Sequence, residues 1–237
     1  MTTYTLDFQF SQAGLAALAN AQEKVCIVKS VSGTVGNVLW VTFKPFETNE
    51  VQWQENYGIY ASSTNIQNGA KISRLSSVKY ASKGHQYPFN AAGYFDTPNG
   101  VSITDYGTVN NYGDPLTFGL TQLATVNGAV VEGEINAATV LTNQTAEFTP
   151  LVTLSVFTFA EFDNGSVISD ISSQALTLTY TSDTSKTVFY DDNSNISWFH
   201  AQLLFIAKLE RSFIIDRRKF VRISYLSNDS VFTGMTP

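Results

Sequence analysis

The chain has little of the chemistry on which most enzymes depend. Its 237 residues include one cysteine, Cys26, and two histidines, His85 and His200. A single cysteine excludes an intramolecular disulfide, and its place in the apolar run 25–28 predicts a buried, unreactive thiol. Two histidines leave few groups for acid–base catalysis near neutral pH.

Sequence motifs of common enzyme classes and of membrane proteins are also missing. No phosphate-binding loop of the Walker or dinucleotide type occurs, and Asn164-Gly165-Ser166 lacks the second glycine of a nucleophile elbow. No run approaches about 18 apolar residues, which excludes a transmembrane helix, and the N-terminus has no apolar signal segment. These features predict a cytoplasmic protein that is not an enzyme.

Positive charge is scarce through most of the chain. The formal net charge is −6, and residues 84–207 hold twelve acidic side chains but only one basic side chain, Lys186. This balance excludes general nucleic-acid binding, which needs clustered Lys and Arg. Six basic residues follow within 208–222. They suit head-to-tail association into a homo-oligomer, and pairing with acidic groups of the same molecule explains them equally well.

What the chain does have is a repeated alternation of apolar and polar residues. Residues 4–10 alternate as a half-buried strand, and Ser11 precedes an Ala/Leu-rich segment, Gln12–Ala21, that is typical of a capped helix. Later segments repeat the strand pattern, separated by turns such as Asn127-Gly128. We predict an all-β fold, a single antiparallel β-sandwich or barrel-like domain over residues 1–237, with roughly twelve strands and one short N-terminal helix.

Residues 84–118 combine aromatic rings with turn-forming residues. They include seven aromatics, five glycines and three prolines, and no Lys or Arg. Aromatics normally belong to strands and cores and Gly and Pro to turns, so their combination predicts rings held on a rigid loop, as in many ligand sites. Indole and phenol rings elsewhere in the chain can serve the same site. The predicted ligand-binding residues are Trp53, Tyr57, Tyr87, Tyr94, Tyr106, Tyr112 and Trp198.

The two histidines are the candidate metal ligands. Neutral imidazoles of His85 and His200, if they converge, can hold Ni, Zn or Cu, with carboxylate or small-molecule oxygens completing the coordination. The alternative is that each histidine is packed and hydrogen-bonded as a structural residue.

One segment resembles a known group of proteins. Residues 53–62, Trp-Gln-Glu-Asn-Tyr-Gly-Ile-Tyr-Ala-Ser, follow an opening made of a strand, a helix and the run at Val25. Over about the first 90 residues, this arrangement resembles small cytosolic all-β proteins of fungi and bacteria. It is also similar in style to the pink chromoproteins of mushrooms. The resemblance implies a site for a coloured, indole-type molecule together with a metal ion.

These observations together predict a non-catalytic protein that holds a small aromatic or pigment-like molecule. Tyr and Trp rings would cover the molecule, and histidine would bind a divalent transition metal beside it. Two other functions stay open. The acidic, Thr- and Asn-rich composition permits a cytosolic lectin, and the Thr-rich segments 151–159 and 175–181 permit a membrane-active, β-pore-forming defence protein.

Overall fold

The computed structural model describes residues 2–32, 36–169, 171, 175–191 and 198–201. For residues 191 and 198–201 only the backbone is described. These parts of the chain contain one α-helix and sixteen strands. In chain order they are β1 (Thr3–Phe10), α1 (Gln12–Ala21), β2 (Lys24–Val31), β3 (Val41–Phe43), β4 (Thr48–Ser62), β5 (Arg74–Val78), β6 (His85–Phe89), β7 (Asn99–Ser102), β8 (Tyr106–Asn110), β9 (Leu116–Val126), β10 (Ala129–Glu134), β11 (Ala138–Val140), β12 (Thr145–Phe148), β13 (Pro150–Phe159), β14 (Leu176–Thr179), β15 (Ser185–Asp191) and β16 (Trp198–Ala201).

The strands form three sheets. The largest has eight strands in the order β10-β9-β4-β1-β15-β16, with β11 paired to β9 and β5 paired to β4. The two others have four strands each, in the orders β14-β13-β2-β3 and β12-β8-β6-β7. Most neighbours are antiparallel, but β1 with β15 and β6 with β8 are parallel. Among the described residues, no helix is long and apolar enough to cross a membrane.

The all-β prediction is confirmed, and so is the short N-terminal helix. A single antiparallel sandwich of roughly twelve strands is not confirmed, because sixteen strands are divided among three sheets and none of these sheets closes into a barrel within the described residues. Residues 203–237, which the single-domain prediction includes together with the basic segment 208–222, lie outside the described residues.

The opening of the chain follows its sequence pattern closely. Leu6, Phe8 and Phe10 of β1 are buried, whereas Gln9 between them is exposed. The hydroxyl of Ser11 accepts a hydrogen bond of 2.9 Å from the backbone N–H of Gly14, which the helix itself leaves without a partner. The strand alternation and the cap are both local effects, so the sequence predicts them.

Replacing Ser11 by alanine is expected to lower the free energy of unfolding by about 1 kcal/mol, because Gly14 N–H loses its acceptor. Aspartate at the same position keeps an acceptor and should change this free energy by less than about 0.5 kcal/mol. Urea denaturation of the two variants measures both values. Equal losses in the alanine and aspartate variants would contradict the capping role.

A shared core connects the three sheets. Ile59 of the eight-stranded sheet, Ile27 and Val156 of β2 and β13, and Phe89 of β6 are fully buried in one hydrophobic cluster. Cys26, beside Ile27, is also fully buried, and burial raises the pKa of its thiol to about 12. The prediction of a buried cysteine is thus confirmed, and its raised pKa fits an unreactive thiol.

Residues 84–118 form regular structure where a binding loop was predicted. They contain β6, β7 and β8, which belong to one sheet, and the start of β9. The rings of Tyr87, Phe89, Tyr106 and Phe118 are buried in the common core. Five of the eight glycines and prolines lie outside these short strands, whereas Pro88, Gly100 and Gly107 lie within them, so the mixed composition mainly reflects closely spaced turns.

Candidate functional site

A lysine side chain lies wholly inside the core. Lys29 on β2 has no exposed surface, and its Nζ is 2.7 Å from Oε1 of Glu55 and 2.9 Å from Oε1 of Gln122. Glu55 on β4 and Gln122 on β9 belong to the eight-stranded sheet, whereas Lys29 on β2 belongs to a four-stranded sheet. The amine therefore links two sheets. A buried charge costs several kcal/mol unless it is paired. Perturbed groups of this kind gather at functional sites, which makes Lys29 a candidate.

The carboxylate that pairs with Lys29 is positioned by a β-bulge. The register between β4 and β9 shifts between Trp53 and Tyr57, so residues 54–56 lie opposite Leu123 alone. Bulges re-aim side chains and are frequent near functional sites. Oε1 of Glu55 accepts a hydrogen bond of 2.9 Å from Nε1 of Trp53, and the Tyr57 hydroxyl donates to Oε2. These two donors fix the orientation of the carboxylate.

Aromatic rings surround the amine. Its Nζ lies 5.8 Å from the ring centroid of Trp40, 6.0 Å from that of Trp53 and 5.0 Å from that of Tyr57. Burial lowers the pKa of Lys29 to about 8, although the neighbouring Glu55 carboxylate opposes the shift. Burial and the same carboxylate raise the pKa of the Tyr57 hydroxyl. This environment therefore allows part of the Lys29 amine to be neutral near physiological pH.

Three of the predicted ligand-binding residues come together here. Trp53 and Tyr57 are part of the cluster, and the ring of Tyr106 contacts that of Tyr57 with centroids 5.3 Å apart. A fourth, Tyr87, is also buried, and its hydroxyl oxygen accepts a hydrogen bond from Ser82 N–H. All four rings are less than a tenth exposed, so they pack in the core and offer no open face for stacking.

The other three predicted ligand-binding residues lie elsewhere. Tyr94 is 55% exposed, and Tyr112 is half-buried against Phe89, with ring centroids 6.0 Å apart. The backbone of Trp198 belongs to β16, and its side chain lies outside the described residues. Among the six of these seven residues whose side chains are described, the structure does not form one common surface. Their role in ligand binding stays a prediction.

Of the two candidate metal ligands, only the side chain of His85 belongs to the described part of the chain. His85 is exposed at the start of β6, with Nδ1 3.0 Å from the carbonyl oxygen of Lys83. His200 pairs with Phe189 through its backbone, and its side chain is outside the described part of the chain. Within that part, no three His, Cys, Asp or Glu side chains form a group that could hold a metal ion. Joint metal binding by the two histidines stays a prediction.

A surface cleft of about 320 Å³ opens near the end of β2, between the β10–β11 connection and β12. Its apolar walls are formed by Val31, Ala137, Ala138, Ala146 and Phe148. The volume is at the lower end of the range of about 300–1,000 Å³ that is usual for small-molecule sites. The cleft therefore offers accessible space, which the buried aromatic cluster lacks.

Polar groups at the cleft are few and well anchored. The side-chain amide of Asn37 both donates to and accepts from the backbone of Ala137, at 2.9 Å each. Oε1 of Glu147 accepts the N–H groups of Thr104 and Asp105, at 2.9 and 3.0 Å. Among the described residues that line the cleft, Glu147 is the only charged one. Its carboxylate makes the cleft unfavourable for anions.

Sequence reasoning missed Lys29, Glu55 and Gln122. One signal was present, because Lys29 is a charged residue in the otherwise largely apolar segment 25–31. A charge in such a strand requires a buried partner. No similar signal marks Gln122 or the cleft, since both depend on how distant strands meet.

Comparisons with known proteins leave the resemblance to the pink chromoproteins untested. No family model, curated protein or solved structure matches this chain. The resemblance stays a prediction, as do the coloured molecule and the metal that it implies. Function must therefore be inferred from the geometry of the described residues.

Proposed function

We propose that the protein is a non-catalytic binding protein for a small organic molecule, which occupies the cleft between the β10–β11 connection and β12. The observation that carries this proposal is the cleft itself, with about 320 Å³ of space and mostly apolar walls. Sites for small molecules are typically concave and apolar, with a few polar groups that fix the orientation of the ligand. Asn37 and Glu147 are such groups.

The lining indicates the character of the ligand. No Lys or Arg is found among the described lining residues, and Glu147 adds a negative charge, so a neutral or cationic molecule fits best. The short side chains of Ala138 and Ala146 leave room for a flat ring system beside Phe148. In a more specific version of this proposal, the ligand is coloured and a metal ion is bound with it. An absorption spectrum and metal analysis of the purified protein test them.

Replacing Ala146 by leucine is expected to weaken the binding of a neutral, ring-shaped probe such as Nile red by at least about tenfold. Ala146 is half-buried and lines the cleft, so the larger side chain fills space that the probe would occupy. A fluorescence titration measures the change in affinity. Ala138→Leu, at the start of β11, should have the same effect because Ala138 also lines the cleft.

Ala129→Leu is the matched control, because Ala129 is an exposed strand residue that is not part of the cleft lining. We expect this variant to bind the probe with the affinity of the wild type, and thermal unfolding verifies that all three variants are folded. Equal affinity in the wild type and both cleft variants would contradict the assignment of the cleft, as would a wild type that does not bind.

A further inference from the structure

Three reactive side chains meet in the core, where β2 faces β4 and β9. Nζ of Lys29 lies 2.9 Å from the side-chain oxygen of Gln122, and Oε1 of Glu55 lies 2.7 Å from the same Nζ. That Glu55 oxygen is also 3.5 Å from Nε2 of Gln122. A single carboxylate oxygen therefore reaches both the nitrogen that can attack the amide and the nitrogen that would leave it.

We propose that Lys29 and Gln122 become joined by an isopeptide bond, with Glu55 carrying the proton between the two nitrogens. The reaction needs no oxidant, reductant or second protein, because an amide and an amine exchange to give a new amide and ammonia. The product would connect β2 covalently to β9, and hence two of the three sheets to each other.

The reaction balances as follows. The neutral Lys29 amine attacks Cδ of Gln122, a C–N bond forms, and one amine proton passes to Oε1 of Glu55. The tetrahedral intermediate then collapses, the bond between Cδ and Nε2 breaks, and Glu55 returns the proton to Nε2. Ammonia leaves and Glu55 is again ionised. No atom changes its oxidation state.

Burial favours a reaction partner inside the protein. Lys29 has no exposed surface and Gln122 has 1%, so an external carbonyl compound does not reach the amine, whereas the Gln122 amide already touches it. The pKa of about 8 for Lys29 leaves roughly a tenth of the amine neutral at pH 7. Exclusion of water also protects the intermediate from hydrolysis.

The surrounding residues hold the three groups in place. Nε2 of Gln122 donates a hydrogen bond of 2.7 Å to the carbonyl oxygen of Gln54, and Nε1 of Trp40 donates to the backbone oxygen of Gln122 at 3.1 Å. Trp53 and Tyr57 hold the Glu55 carboxylate from the other side. Attack requires Nζ, which contacts the side-chain oxygen of Gln122, to reach Cδ, the carbon that carries this oxygen. Fixed proximity of this kind can replace a large part of an activation barrier.

Mass spectrometry of the denatured wild-type chain tests the proposal directly. We expect a mass lower than that of the sequence by one ammonia, and a protease digest in which the peptide containing Lys29 is joined to the peptide containing Gln122. Lys29→Arg should have its full mass and separate peptides. A succinimide at an Asn-Gly pair such as Asn127-Gly128 also loses ammonia, so the joined peptides are the required observation.

Glu55→Gln tests the role of the carboxylate, because the amide keeps the side-chain shape but cannot carry the proton. This variant should be folded by circular dichroism and lack the bond. Separate Lys29 and Gln122 peptides in the wild type would overturn the proposal, whether or not any variant folds. Loss of water with a Lys29–Glu55 linkage would overturn the choice of Gln122 as the acyl donor.

Discussion

Replacing Lys29 by methionine is expected to lower the free energy of unfolding by at least about 3–5 kcal/mol, the cost of breaking the Lys29–Glu55 contact, and loss of the proposed covalent bond adds to this value. The substitution removes the cation from a buried pair and leaves Glu55, whose side chain is 27% exposed, without its partner. It also removes the donor to Gln122, which is 1% exposed. Glu55 keeps the donors Trp53 and Tyr57 but loses its cation, whereas water does not reach the Gln122 oxygen to replace the lost donor. Urea denaturation measures the change.

Lys24→Met is the matched control on the same strand. The Lys24 side chain pairs with Asp163, which is 70% exposed, so its loss should change the free energy of unfolding by no more than about 1 kcal/mol. Equal losses in the Lys24 and Lys29 variants would contradict the special position of Lys29.

A double variant separates the ion pair from the covalent bond. Lys29→Met with Glu55→Gln removes both charges while Gln at position 55 still accepts from Trp53, so it should recover the stability lost through the unpaired carboxylate.

The positions that the bond joins are 93 residues apart. By the loop-closure argument used for disulfides, a covalent link of that span contributes about 4–5 kcal/mol. The double variant should remain less stable than the wild type by this amount if the bond forms.

Replacing Trp40 by alanine should also lower the free energy of unfolding by about 3–5 kcal/mol. Trp40 is fully buried, its ring packs edge-on against Trp53 with centroids 5.7 Å apart, and its Nε1 donates to Gln122. The change leaves a cavity and removes one donor to the backbone oxygen of Gln122. Phe46→Ala is the control, because Phe46 is 64% exposed. Its loss should change the free energy of unfolding by less than about 0.5 kcal/mol. Similar effects of both substitutions, measured by urea denaturation, would contradict this description of the core.

Local features were predictable from sequence, and the candidate sites were not. The alternation in β1, the cap at Ser11 and the turn at Asn127-Gly128 each depend on a few neighbouring residues. The turn residues Asn127 and Gly128 indeed have positive φ angles of 49° and 84°. Such features are encoded in short windows, which is why the all-β class and the helix were predicted correctly.

The features that sequence could not supply depend on distant strands. β6 and β8 pair in parallel within residues 84–118, and no turn signal announces such a pairing. The bulge at residues 54–56 is hidden because it adds two residues to β4, so Trp53 before it and Tyr57 after it keep the same period of two. The contact between Lys29 and Gln122 joins residues on two different sheets. The parallel pairing, the bulge and this contact can be predicted only when the tertiary packing is known.

The buried cluster and the cleft have different roles in this account. Lys29 and Gln122 are buried, Glu55 is partly exposed, and the three side chains connect strands of the framework, whereas the cleft beside Ala146 and Glu147 is open and suits a ligand. A rigid framework lowers the conformational entropy that binding would otherwise cost. The two proposals stand on separate observations, and either can fail without the other.

Native mass spectrometry of the protein isolated from the cells that produce it tests the central claim, that the protein holds a small molecule, most directly. We predict that the chain carries one small organic molecule under non-denaturing conditions and releases it on denaturation. Identical masses under the two conditions would contradict the account.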